Sequence, residues 1–156
     1  MKRWNSVPAA LVMSVSLIAL TACEEPKVDA AVFESLQQCK DEPGMLADQC
    51  EANFNEARNQ HAAVAPKYTS QEDCQADFGD GRCEQAPYNT TSGGSVFMPL
   101  MMGYMMGSML SGNSRVATQP LYRSKDDPKN FRTGDNQKVS GKTGVSKVGS
   151  QVARAP

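Results

Sequence analysis

Two apolar stretches interrupt an otherwise polar chain, and they differ in kind. Val7–Leu20 is a predominantly apolar run preceded by Lys2 and Arg3. The second run, Val96–Leu110, reads VFMPLMMGYMMGSML and carries no charge. Between them the periodicity is helical: Val32, Leu36 and Cys39 fall at i, i+4 and i+7, and Cys50, Phe54, Ala57 and His61 keep the same spacing. Pro43-Gly44 separates these segments, which predicts a helical hairpin. Pro66 ends its second helix. Ser70 then caps a short third helix, with Asp73 at the capping-box position and Gly79 near its end.

The second apolar run holds six of the nine methionines, and a helical wheel sorts it sharply. Met98, Met101, Met102, Met105, Met106 and Met109 fall within about 140° of arc, opposite Gly103, Gly107 and Ser111. One side is flexible thioether; the other is a Gly-x-x-x-Gly groove that lets backbones approach closely. Pro99 suits the first turn. Fifteen helical residues span about 22 Å, short of the ~30 Å hydrocarbon core of a bilayer. The expectation is a short Met/Gly-rich interaction helix over residues 95–111, carried by Phe97, Met98, Pro99, Met101, Met102, Gly103, Tyr104, Met105, Met106 and Gly107. Ser92-Gly93-Gly94-Ser95 and Ser111-Gly112-Asn113-Ser114 would be its flexible joints. It would lie in the membrane interface, or pack on a second copy or an envelope protein partner. Two other readings stand beside it: a buried helix that completes a small core, and Cu(I) capture by Met101, Met105 and Met109.

The start of the chain reads as an export signal over residues 1–22. It ends in Leu20-Thr21-Ala22-Cys23, which resembles the bacterial lipobox, where a diacylglyceryl group joins the Cys and the chain is cut before it. Two or three acyl chains, palmitate among them, anchor a protein stably where one does not. The expectation is a lipoprotein attached by Cys23 to the periplasmic side of a bacterial cell membrane, outer preferred over inner, with residues 23–30 as tether.

Cys39, Cys50, Cys74 and Cys83 remain, an even set in an oxidising compartment. Phe33–Cys39 and Tyr68–Cys74 share the pattern aromatic-x-Ser-x-x-x-Cys, and each is followed by a Gly-containing loop and Cys-Glu. Two copies of one unit most simply close on themselves, as Cys39–Cys50 and Cys74–Cys83; crossed pairing is the alternative. The spacings are not those of a zinc site. Residues 31–90 would thus form a helical domain stapled by two disulfides, which a core of few large apolar side chains needs.

Net charge is −1, but it is unevenly spread. Glu24–Ser95 carries 14 acidic and 5 basic residues, whereas Leu110–Pro156 carries 9 basic and 3 acidic. Residues 112–156 read as a basic flexible tail, too poor in apolar side chains to offset the entropy of ordering. Such a tail suits an anionic envelope surface and, lacking stacking aromatics, not nucleic acid. Gly141-Lys142-Thr143 lacks the first Gly of a phosphate loop, since Asn136 stands there. The single His61 reads as a surface or packing residue, and no nucleophile-and-base constellation is visible.

Taken together, Tyr68–Cys74, Phe78-Gly79-Asp80-Gly81-Arg82-Cys83-Glu84-Gln85-Ala86-Pro87, the run Phe97–Gly107 and Gln119-Pro120-Leu121-Tyr122 resemble the YgiB-like family of small bacterial lipoproteins of unknown function. The resemblance implies an envelope lipoprotein and supplies no reaction to transfer. The fold expected is a small mostly-α domain stapled by two disulfides, then a short apolar Met/Gly-rich helix and a largely disordered basic tail. The function expected is a non-enzymatic interaction module without cofactor. The alternative is a periplasmic Cu(I)-handling lipoprotein.

Overall fold

The computed structural model describes residues 25–107 and 116–154. The first half of the chain supplies β1 (Lys27–Phe33), α1 (Leu36–Asp41), α2 (Ala47–Val64), α3 (Gln71–Phe78) and β2 (Cys83–Asn89). The second half supplies β3 (Ser95–Pro99), β4 (Gly103–Gly107), β5 (Gln119–Leu121), β6 (Phe131–Arg132), β7 (Lys138–Val139) and β8 (Gly144–Gly149).

β1 organises these elements. From Ala30 to Phe33 it is buried on both faces, as a central strand must be. It pairs antiparallel with β4 on one side, Val32 opposite Met105, and with β8 on the other, Val28 opposite Val148. β5 adds to β4, so the main sheet runs β5-β4-β1-β8. The period-2 alternation of strands then divides the side chains between two layers. Ala30, Val32, Met105, Leu121 and Val148 meet Phe131 and Val139 of the β6–β7 hairpin. On the opposite face Ala31, Phe33, Tyr104 and Met106 meet Cys39, Cys50 and Ala57 of the helices. A third cluster, including Cys74, Phe78, Val96, Met98 and Tyr122, joins α3 to the β2–β3 hairpin.

The helices follow their local signals, except that Val32, expected to share the first helix with Leu36 and Cys39, lies in β1, and α1 begins only at Leu36. Ser35 caps α1 by accepting from the Gln38 N–H, and Ser70 caps α3 by accepting from the Asp73 N–H at 3.1 Å. α2 ends at Val64, with Ala65 as its C-cap directly before Pro66.

Three parts of the expected fold are overturned. The described residues form eight strands in three sheets beside three helices, so the domain is mostly β and not mostly α. The Met/Gly-rich segment is two strands, β3 and β4, joined through Leu100–Met102. A strand buried on both faces reads as a continuous apolar run, and a fifteen-residue wheel sorts such a run as readily as a helix. Gly103 is at a close approach and not in a helix groove: a Cβ there would lie 2.8 Å from the Phe33 carbonyl oxygen and 3.1 Å from the Phe131 ring. The basic stretch is ordered over 116–154, where it supplies β5 to β8. Its isolated apolar residues suffice because β1 and β4 complete the layer: Phe131 and Val139 are buried, and Val148 nearly so.

Candidate functional site

The structure pairs Cys39 with Cys50, Cα atoms 5.8 Å apart, and Cys74 with Cys83 at 6.2 Å. The first pair joins α1 to α2 within the core; the second ties α3 to the start of β2. Cys23 and Met109 lie outside the described residues.

The residues of the expected interaction segment do not share a surface. Met98 is in the hairpin cluster, Met105 is on the face toward β6–β7, and Met106 and Met101 are on the face toward the helices. Pro99, Gly103 and Tyr104 are buried, while Phe97, Met101, Met102 and Gly107 are half-buried. Met101 and Met105 therefore point to opposite faces of one sheet, so the thioether alignment drawn on the helical wheel is absent. Among the described residues no group of three His, Cys, Asp or Glu side chains is arranged to hold a metal ion. The Tyr104 hydroxyl is buried without a hydrogen-bond partner, and burial pushes its pKa up to about 12.

A polar link that the sequence did not disclose forms around His61. The buried face of α2 is Cys50, Ala57 and His61, so the helical spacing that places the disulfide also turns the imidazole inward. Its Nε2 lies 2.9 Å from Glu84 Oε1 on β2, and its Nδ1 lies 3.0 Å from the Tyr122 hydroxyl after β5. A carboxylate only accepts, so Nε2 carries a proton; in the neutral ring Nδ1 then accepts from the Tyr122 hydroxyl. Burial, and then the Glu84 charge, raise the Tyr122 pKa and keep that phenol protonated. Tyr122 is fully buried, and the link fastens α2, β2 and the segment after β5 to one another. The helical spacing through Cys50 was the available signal; the partners lie 23 and 61 residues away.

Clefts open on either side of this link. The larger, about 740 Å³, lies between α3 and the β6–β7 hairpin. Its floor includes Phe78 and Tyr122; its polar wall includes Asp77, Ser124, Arg132 and Asn136. Arg132 donates to Ser124 Oγ at 3.0 Å and to Asn136 Oδ1 at 3.1 Å, while the Tyr68 hydroxyl donates to Asp77 at 2.7 Å. The Ser124 hydroxyl, followed by the Arg132 charge, lowers the pKa of the neighbouring Asp126. Gly134 lets the hairpin abut α2, since a Cβ would sit 2.4 Å from the Val64 carbonyl oxygen. The smaller cleft, about 460 Å³, lies between α2 and the β2–β3 hairpin, with Phe54, Met98, Leu100 and Met101 below Arg58 and Glu84. Both clefts can hold a ligand or side chain non-covalently, the first through paired polar groups and the second through adaptable apolar ones.

Comparison with known proteins supplies the family. The family described as "Protein of unknown function (DUF1190)" matches residues 27–155. A "UPF0441 protein" of Erwinia tasmaniensis is 37% identical over 153 residues, covering 90% of this chain and 68% of that one. A "UPF0441 protein" of Serratia proteamaculans is 34% identical over 169 residues, covering 99% and 74%. No solved structure matches. With nearly all of the described fold inside the matched region, this chain belongs to the DUF1190 family of uncharacterised bacterial proteins, with which its YgiB-like motifs agree.

Proposed function

We propose that the protein is a non-enzymatic cell-envelope lipoprotein, anchored through Cys23 and facing the periplasm, whose folded domain serves as an interaction module. The observation that carries this reading is the pair of short disulfide loops, with Cys39, Cys50 and Cys74 wholly buried. Such staples belong to a compartment outside the reducing cytosol. The Leu20-Thr21-Ala22-Cys23 stretch agrees with that address. No helix among the described residues is long and apolar enough to cross a membrane; in this reading a lipid on Cys23 is the means of attachment. The recessed surface beside the His61–Tyr122 link takes over the contact role expected of the methionine run, because Leu100 and Met101 still line one cleft.

Mass spectrometry of the protein from its native membrane tests the reading. The expected product begins at Cys23 and carries a diacylglyceryl group plus a further acyl chain. A chain with unmodified Cys23, or with reduced thiols at Cys39, Cys50, Cys74 and Cys83, overturns it.

A further inference from the structure

Three observations fix how an anchored domain would stand. The chain is already locked into the fold at Glu25, whose carboxylate accepts from the Gln151 N–H; the Pro26 carbonyl accepts from the Ser150 N–H at 2.8 Å. The same end is braced by Ala117 donating to the Ala153 carbonyl at 2.8 Å and by the Gln119 amide donating to the Val152 carbonyl at 2.8 Å. Glu25 is two residues beyond Cys23, and two trans peptide steps reach at most ~7.6 Å. A lipid on Cys23 therefore cannot hold this end away from the headgroups.

The register shows what lies at each end. Lys27 pairs with Gly149, and Gly107 pairs with Ala30, so β1 begins where β4 and β8 finish. Lys27, Arg154 and Glu25 are all exposed at that end, where the Glu25 carboxylate accepts from the Gln151 backbone N–H. Cations are the side chains that anionic headgroups attract. At the other end Phe33 pairs with Tyr104 and Gly103 with Leu121. Leu100 and Met101 precede Gly103, and Tyr122 to Arg132 follow Leu121, so residues lining both clefts lie toward this second end. The seven residues of β1 separate the ends by about 20 Å.

We infer that the end formed by Pro26–Lys27 and Gly149–Arg154 rests on the phospholipid headgroups of the anchoring membrane, holding both clefts toward the aqueous side. This rests on the lipoprotein reading above. The binding partner of the clefts is then something met above the membrane surface and not the lipid beneath.

Fluorescence quenching in vesicles tests the orientation. The chain's single tryptophan, Trp4, precedes Cys23, so the processed lipoprotein is silent and one introduced Trp reports alone. Lipoprotein carrying Q151W or R154W at the base, or K125W or Q85W at the clefts, is placed in phosphatidylethanolamine/phosphatidylglycerol vesicles containing headgroup-nitroxide lipid. All four positions are exposed, and variants that retain both disulfides and the parent melting temperature are compared. The base reporters are expected to be quenched at least threefold more than the cleft reporters. Equal quenching, or stronger quenching at the clefts, overturns the orientation. Mass analysis of the same samples separates the two claims: absence of acylation at Cys23 removes the lipoprotein reading and this inference together, whereas acylated, vesicle-bound protein with the wrong pattern removes only the orientation.

Discussion

The strands on either side of β1 meet one partner with different chemistry. β4, GYMMG, presents Tyr104, Met105 and Met106 wholly buried, because α2 covers one face and the β6–β7 hairpin the other. β8, GVSKVG, is the sheet edge; its Val145 is 38% exposed and its Lys147 reaches Asp29 at 3.0 Å. The apolar strand resembled a surface-seeking helix, and the polar strand resembled disorder. Both are strands for the same reason, which is that β1 lies between them. An edge strand that carries a lysine, as β8 carries Lys147, also blunts further strand addition.

Removing residues 144–154 should have the largest effect. It strips β1 of its whole β8 ladder and the base of its bracing, so the chain should lose its cooperative thermal transition by circular dichroism. A dispensable tail would leave the melting temperature unchanged. Next comes Gly103→Val. Its added carbons meet the Phe33 carbonyl, which is backbone and cannot turn aside, and urea unfolding should register a loss of about 3 kcal/mol. Met105→Ala should cost a similar ~3 kcal/mol through the cavity it leaves, whereas Val145→Ala on the edge strand should stay within about 0.5 kcal/mol. Equal costs at the two positions would erase the distinction between centre and edge.

The smallest effect is expected from acid. The hairpin that covers Met105 holds Asp127, whose pKa is lowered chiefly by the Lys138 ammonium 2.8 Å away and then by the Asn130 amide. A carboxyl whose folded pKa is depressed contributes stability above its unfolded pKa and loses it as pH falls through the folded value. Melting temperature should therefore decline below about pH 4. Lys138→Met should make that decline shallower, and an unchanged slope would remove the pair from the account.

How much of this was legible depends on the range of the interaction. The helices were readable because their causes are local: Ser70 caps three residues ahead, and Pro66 stops α2. The repeated aromatic-x-Ser-x-x-x-Cys unit favoured the cysteine pairs over separations of 11 and 9 residues, and the structure closed the crossed alternative. The triad was not readable, since His61 looked ordinary until Glu84 and Tyr122 were brought to it from other elements. The methionine run was misread because apolar character says that a segment is buried without saying by what. A helical moment and a strand sandwiched on both faces give the same composition over so few residues.

The amino-acid order by itself set the short-range chemistry: the stop of α2 and the cap of α3, a preferred cysteine pairing, the charge division between the two halves, and the motifs that place the chain in its family. Only the tertiary structure decided that Ser95–Pro99, Gly103–Gly107, Lys138–Val139 and Gly144–Gly149 are strands, and that His61, Glu84 and Tyr122 meet between two clefts. The reason is that the β1 ladders and the His61 network take their stabilisation from residues distant in sequence, so no short window of the chain contains both partners.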